Sequence, residues 1–158
     1  MVNRIKTRPN IAKLIIALNQ SITTLVYILY PVILLMLIYK KDTRFWFLFV
    51  VPMISFVILS VFRKKLNAPR PYEVFDYEPI LKKETEGASF PSRHVFSIFV
   101  ISSGIFYIQP ILGSVLLVFG VILALCRFLG GVHFLRDVIA GALCGIFPWV
   151  LLWAIGLI

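Results

Sequence analysis

The chain has 158 residues, 60% hydrophobic and only 15% charged, with a mean hydropathy of +0.96 and a net charge of +9. A water-soluble domain carries about a quarter charged residues, so this composition excludes one and predicts an all-α integral membrane protein, a single membrane domain over 1–158. The positive charge does not imply a nucleic acid. There is no basic helix, zinc-ligand spacing or aromatic–basic interleaving, and the cations sit at the edges of apolar stretches, where they meet lipid headgroups or a phosphorylated substrate.

Lys, Arg, Asp and Glu are all absent from 14–39, 45–62, 94–126 and 138–158. A membrane helix needs roughly 17–25 mostly apolar residues. Residues 1–19 form a basic, amphipathic N-terminal segment. In it Asn10 is placed to cap a short helix whose Ile11, Leu14, Ile15 and Leu18 recur at helical spacing, which predicts a helix lying in the interface. Its alternative is the leading turns of the first span. No small-residue cleavage site follows, so the segment is expected to be retained.

Five spans are predicted. The first covers about 20–39, with a kink at Pro31. After a loop at Lys40–Arg44 the second covers 45–62 and delivers Arg63, Lys64 and Lys65. A hydrophilic segment, 63–93, then holds five of the seven acids, Glu73, Asp76, Glu78, Glu84 and Glu86. The third span runs from His94 to Gln109-Pro110, the fourth covers 111–126, and the fifth covers 132–157 after Gly130-Gly131. Following the chain back and forth puts the ends of spans two and four and the starts of spans three and five on one membrane face. The sequence-distant polar clusters therefore converge there.

Those clusters contain both histidines of the chain. His133 and Asp137, four apart, are predicted on one helix face. There the carboxylate fixes the imidazole tautomer and leaves the other nitrogen as an electron-pair donor able to attack phosphorus. His94 opens a helix after Pro91-Ser92-Arg93. Ser92 and the first-turn amides suit an anion, and His94 suits a general acid for the leaving oxygen. Taken singly, the first cluster reads as an interfacial His–Asp pair and the second as a helix cap. Arg63, Arg70 between Pro69 and Pro71, and Arg127 offer guanidinium forks for nonbridging oxygens. Lys65, Lys82 and Lys83 read as solvated. Cys126 and Cys144 lie in apolar surroundings without metal-ligand spacing and imply neither disulfide nor metal.

In order and spacing the clusters resemble the motifs of the type 2 phosphatidic acid phosphatase (PAP2) superfamily: Lys-x6-Arg-Pro, Pro-Ser-Gly-His and Ser-Arg-x5-His-x3-Asp. This chain has Arg63-x6-Arg70-Pro71, Pro91-Ser92-Arg93-His94 and Cys126-Arg127-x5-His133-x3-Asp137, within a core of 45–157 whose active-site loop is 63–93. The resemblance implies a PAP2-type helical bundle with His133 as nucleophile, Asp137 as its partner and His94 as general acid. Arg63, Arg70, Ser92 and Arg127 would bind phosphate, with no metal or other cofactor. Three residues depart from the pattern. Arg63 stands for Lys, with Lys64 beside it as a substitute; Arg93 stands for Gly and adds a cation suited to a second phosphate; Cys126 stands for Ser and loses a hydroxyl.

The expected activity is a lipid phosphate phosphatase acting through a phosphohistidine on a phosphatidic acid or phosphatidylglycerophosphate headgroup. The alternatives are an undecaprenyl-diphosphate phosphatase and, in another class, a non-catalytic lipid-phosphate-binding membrane protein. A vanadium haloperoxidase is disfavoured by the apolar spans. The partners are thus the bilayer and a lipid phosphate or diphosphate. Lys40, Lys41 and Arg44 lie opposite the site and the other thirteen Lys and Arg lie with it, so charge counting alone favours a cytoplasmic site. Several of the thirteen are candidate substrate ligands, however, and the resemblance implies an extracytoplasmic site on a bacterial plasma membrane.

Overall fold

The computed structural model describes residues 2–75, 77–83 and 86–158, so Asp76 and Glu84 lie outside the described residues. The described residues form helices joined by turns and loops, in the order α1 (Val2–Lys6), α2 (Pro9–Tyr39), α3 (Arg44–Leu66), α4 (Pro71–Val74), α5 (Arg93–Ile108), α6 (Pro110–Leu129) and α7 (Leu135–Ala154). Four of them, α2, α3, α6 and α7, are long and apolar enough to cross a membrane, and α5 is a shorter apolar helix. The protein is an integral membrane protein, and many large apolar side chains, among them Tyr27, Leu35, Ile58 and Trp153, face outward. Such a surface suits a hydrocarbon solvent, and helices meet every backbone hydrogen bond within it.

The five expected spans correspond to these helices with corrected bounds. The separate interfacial helix is absent: α2 is one helix of 31 residues that starts at Pro9, with Arg8 rather than Asn10 at its N-cap. Nothing between Pro9 and Pro31 breaks a helix, and the stripe begun by Ile11 and Ile15 continues in register through the buried Ile22 and Val26. At ~1.5 Å per residue α2 is about 46 Å long, well beyond a hydrocarbon core of about 30 Å. Its first turns therefore rise beyond that core, where Ile15 packs with Tyr72, Leu81, Cys126 and Val132. The helix also continues through Pro31. At the other correction, α7 begins at Leu135, so His133 precedes the helix instead of opening it. α6 extends to Leu129 and α3 to Leu66, which puts Arg127 and Arg63 inside last helical turns.

The short α5 is central and packs against α2, α3, α6 and α7. Surrounded by protein, it has no need to match the bilayer thickness by itself. A Cβ at Gly141 would lie 2.6 Å from the Ser92 carbonyl oxygen, so only glycine lets α7 press this closely on the start of α5. That contact brings two of the motif segments together.

Candidate active site

Among the described residues, every buried charged side chain is one that the sequence had marked out: Arg63, Arg70, Arg127 and Asp137, with His133 beside them. The loop that carries them is closed like a clasp. Asn67 ends α3 in the left-handed region and its Oδ1 accepts from the Ala88 N–H at 3.2 Å, while the Ser89 N–H donates to the Ala68 carbonyl at 2.9 Å. Arg63 reaches across this closure, its Nη1 donating to the Ser89 carbonyl at 3.2 Å. Arg70 caps α4. Its backbone N–H donates to Glu73 Oε2 at 3.0 Å and its Nε donates to the Gly87 carbonyl at 3.1 Å. Glu73 Oε1 in turn accepts from the Gly87 N–H at 2.7 Å. The far end of Arg70 extends to the Val132 carbonyl, 3.5 Å from Nη1.

Val132 belongs to the turn that delivers His133. Gly131, at φ 78°, occupies the left-handed region that glycine enters without strain. The loop is tied to this turn by Tyr77, whose hydroxyl donates to the Gly131 carbonyl at 2.8 Å, and by the Ile80 N–H, which donates to the Gly130 carbonyl at 2.9 Å. Burial pushes the Tyr77 phenol above its ordinary range, which keeps it a neutral donor here. Farther out, the Lys83 ammonium lies 2.8 Å from Glu78 and holds that carboxyl below its usual range.

Asp137 is the third residue of α7. Its Oδ2 accepts the Phe134 N–H at 3.0 Å, as a first-turn carboxylate does in a capping box. The same oxygen accepts the Ser89 hydroxyl at 2.6 Å and lies 3.5 Å from His133 Nδ1. Ser89 Oγ is itself 3.4 Å from that nitrogen. His133 and Asp137 therefore meet even though His133 is off the helix, and a serine that the motif spacing did not mark stands between them. The backbone of Asp137 adds a link, its carbonyl accepting the Ser92 N–H at 2.8 Å. Ser92 is wholly buried, and its hydroxyl has no hydrogen-bond partner. A buried hydroxyl in that condition is a ready contact for a ligand oxygen.

The remaining sequence-marked residues line other cavities or face outward. Arg127 is buried in the last turn of α6, its carbonyl accepting from the Val132 N–H at 3.3 Å, and it lines a cavity with Asn19, Gln20, Lys82 and Lys83. His94 is half-buried in the first turn of α5 and opens onto a cavity of about 440 Å³ between α2, α3 and α5. His133 lines a different cavity, of about 460 Å³, which Val2 and Asn3 of α1 help to wall. Lys64 is exposed, because one residue turns a helix by about 100°; α3 thus aims Arg63, not Lys64, into the cluster. Arg93 is also exposed, its guanidinium 5.8 Å from the centroid of the Phe56 ring. Among the described residues, no three His, Cys, Asp or Glu side chains are grouped to hold a metal ion.

Sequence reasoning missed Ser89, Glu73 and the wall formed by α1. Ser89 had a faint signal in its place two residues before Pro91; its link to Asp137, 48 positions away, had none.

A model of the PAP2 superfamily matches residues 44–157. Among solved structures, the chain is similar to Aquifex aeolicus LpxE, with a TM-score of 0.74 and 23% identity over 89% of this chain and 86% of that one. It is also similar to the first transmembrane PAP2-type phosphatidylglycerolphosphate phosphatase from Bacillus subtilis, with a TM-score of 0.66 and 22% identity over 97% and 86%. No curated protein matches.

Proposed function

The chain belongs to the PAP2 superfamily, and from that premise we propose that it is a membrane lipid phosphate phosphatase working through a phosphohistidine. One observation carries the reading: two buried guanidiniums, Arg63 and Arg70, and the His133–Asp137 pair are tied by hydrogen bonds to one closed loop, with the unpartnered Ser92 hydroxyl next to them and a third buried guanidinium, Arg127, in the last turn of α6. Buried cations are costly unless an anion or a carbonyl meets them, and a phosphoryl group brings three acceptor oxygens. Arg63, Arg70 and Arg127 serve as its ligands, with Ser92 as a further donor. In the first step His133 Nε2 gives its electron pair to phosphorus while the bond to the lipid oxygen breaks, and that oxygen takes a proton from His94. Asp137 stabilises the charge left on the His133 ring. In the second step water attacks phosphorus, His94 removes its proton, the N–P bond breaks, and inorganic phosphate leaves with both histidines restored.

Phosphatidic acid or phosphatidylglycerophosphate is the leading substrate class; the Bacillus subtilis neighbour is named for the latter. Undecaprenyl diphosphate is the second reading, favoured by Arg93 lining the same cavity as His94. The site faces the extracytoplasmic side of a bacterial plasma membrane. Modification of the exposed Lys82 by a membrane-impermeant amine reagent on intact cells supports that orientation, and protection of Lys82 until lysis refutes it.

The decisive test is phosphate release from a panel of lipid phosphates by purified wild type and His133→Ala, both folded in detergent. The variant is expected to lose about 10⁴-fold or more in kcat. Undiminished release would remove His133 as nucleophile.

A further inference from the structure

The cavity onto which His94 opens is walled mainly by apolar and aromatic side chains, including Tyr27, Tyr30, Phe56, Ile98 and Leu123. Among the described residues that line it, Arg93 is the one Lys or Arg. Phe56 precedes Arg63 by seven residues on α3, so it lies on the same face about two turns, ~10.5 Å, deeper along the helix. Because the Arg93 guanidinium sits over the Phe56 ring, it points away from the Arg63–Arg70–His133 cluster and down the cavity. The stack holds the guanidinium in place, and among the described residues it makes no ion pair. A cation held at an apolar membrane groove marks a functional position.

We propose that Arg93 recognises an anionic group on the departing half of the lipid, so that the enzyme favours substrates whose leaving group is or carries a phosphate. The inference rests on the lipid phosphatase reading and narrows it. If His94 protonates the leaving oxygen, whatever follows that oxygen enters the cavity beside His94. For phosphatidic acid the departing half is neutral diacylglycerol, which gives Arg93 nothing to bind. For a polyprenyl diphosphate it is a polyprenyl monophosphate, and for phosphatidylglycerophosphate it carries a phosphodiester. Either places nonbridging oxygens where a guanidinium fork can take them two at a time. General attraction to an anionic bilayer is a different effect, since it acts alike on every anionic lipid.

The test has a turnover arm and a binding arm. In the first, kcat/KM is measured for wild type and Arg93→Gln on farnesyl diphosphate, phosphatidylglycerophosphate and phosphatidic acid in mixed micelles. The ratio of either anionic-leaving-group substrate to phosphatidic acid is expected to fall by about 10- to 100-fold in the variant. In the second, His133→Ala with and without Arg93→Gln is titrated with the same three lipids by native mass spectrometry, and the same ratio is read from Kd. Ratios that do not move with Arg93 overturn the proposal, as does an equal loss on all three lipids. A binding ratio that moves while wild type releases no phosphate keeps the role of Arg93 and overturns the phosphatase reading instead.

Discussion

The two rims of the helix bundle handle charge in opposite ways. At the α2–α3 turn Asp42 and Arg44 form a pair of 2.6 Å between residues two apart, with 44% of the Arg44 side chain exposed. At the other rim Arg63, Arg70, Arg127 and Asp137 are all at most 5% exposed. Side-chain hydrogen bonds of Arg63, Arg70 and Asp137 reach partners 17 to 62 positions away along the chain. An exposed pair contributes between nothing and about 1 kcal/mol, and it needs no tertiary structure to form. A buried ion costs several kcal/mol unless its surroundings are built to receive it. The site rim is thus a poor arrangement for stability alone and a good one for gripping an anion, and substitutions at the two rims should differ in kind as well as in size.

Asp137→Asn is the largest expected break in that contrast. Asparagine keeps the shape of the side chain, but a neutral amide no longer stabilises charge on the His133 ring. If its nitrogen takes the place of Oδ2, it also faces the Ser89 hydroxyl and the Phe134 N–H as a third donor. A fall in kcat of about 10³- to 10⁴-fold is expected, with detergent-solubilised protein still monodisperse. Turnover within tenfold of wild type would reduce Asp137 to a helix cap.

Ser89→Ala sharpens the comparison within the site rim. Ser89 is a positioning residue: it donates to Asp137 Oδ2 at 2.6 Å and sits 3.4 Å from His133 Nδ1. Removing the hydroxyl leaves the Phe134 N–H and His133 Nδ1 to meet that oxygen and loosens the register between carboxylate and imidazole. The expected result is a loss of about 10- to 100-fold in kcat with KM little changed. A rise in KM alone would make Ser89 a substrate contact, and an unchanged kcat would leave it structural.

Much of this site was legible because its chemistry is carried by charge in an otherwise apolar chain. Where four long stretches hold no Lys, Arg, Asp or Glu, the helices and the face on which the polar clusters meet follow from counting passes through the bilayer. The spacing of His133 and Asp137 also identified a real contact. It misplaced the backbone, since the turn at Gly131 delays α7 to Leu135 and leaves His133 in the approach to the helix. A spacing of four fits both geometries. The interfacial helix failed for a related reason: amphipathic periodicity marks a face and not its neighbour, and here Ile15 and Leu18 of that stripe pack toward the site loop while Ile11 and Leu14 stay exposed. Ser89 and Glu73 were illegible because hydrogen bonds to Asp137 and Gly87 depend on how the loop folds back, which no local pattern encodes.

The smallest expected effect lies at the opposite rim. The Arg44 guanidinium and backbone N–H beside Asp42 hold its carboxyl down from 3.8 to about 2. A carboxyl depressed on folding contributes stability at pH values above its unfolded pKa, near 4, and loses that contribution as pH falls through the folded value. Asp42→Asn should therefore lower Tm only slightly at pH 7, less so in high salt. The difference from wild type should shrink as pH drops from about 4 toward 2, while phosphatase activity at neutral pH stays the same. A Tm difference that persists unchanged at pH 2 would show that Asp42 acts through packing of the turn and not through its charge. A loss of activity comparable to that of Ser89→Ala would mean that the two rims are mechanically coupled through α3, whose ends carry Arg44 and Arg63.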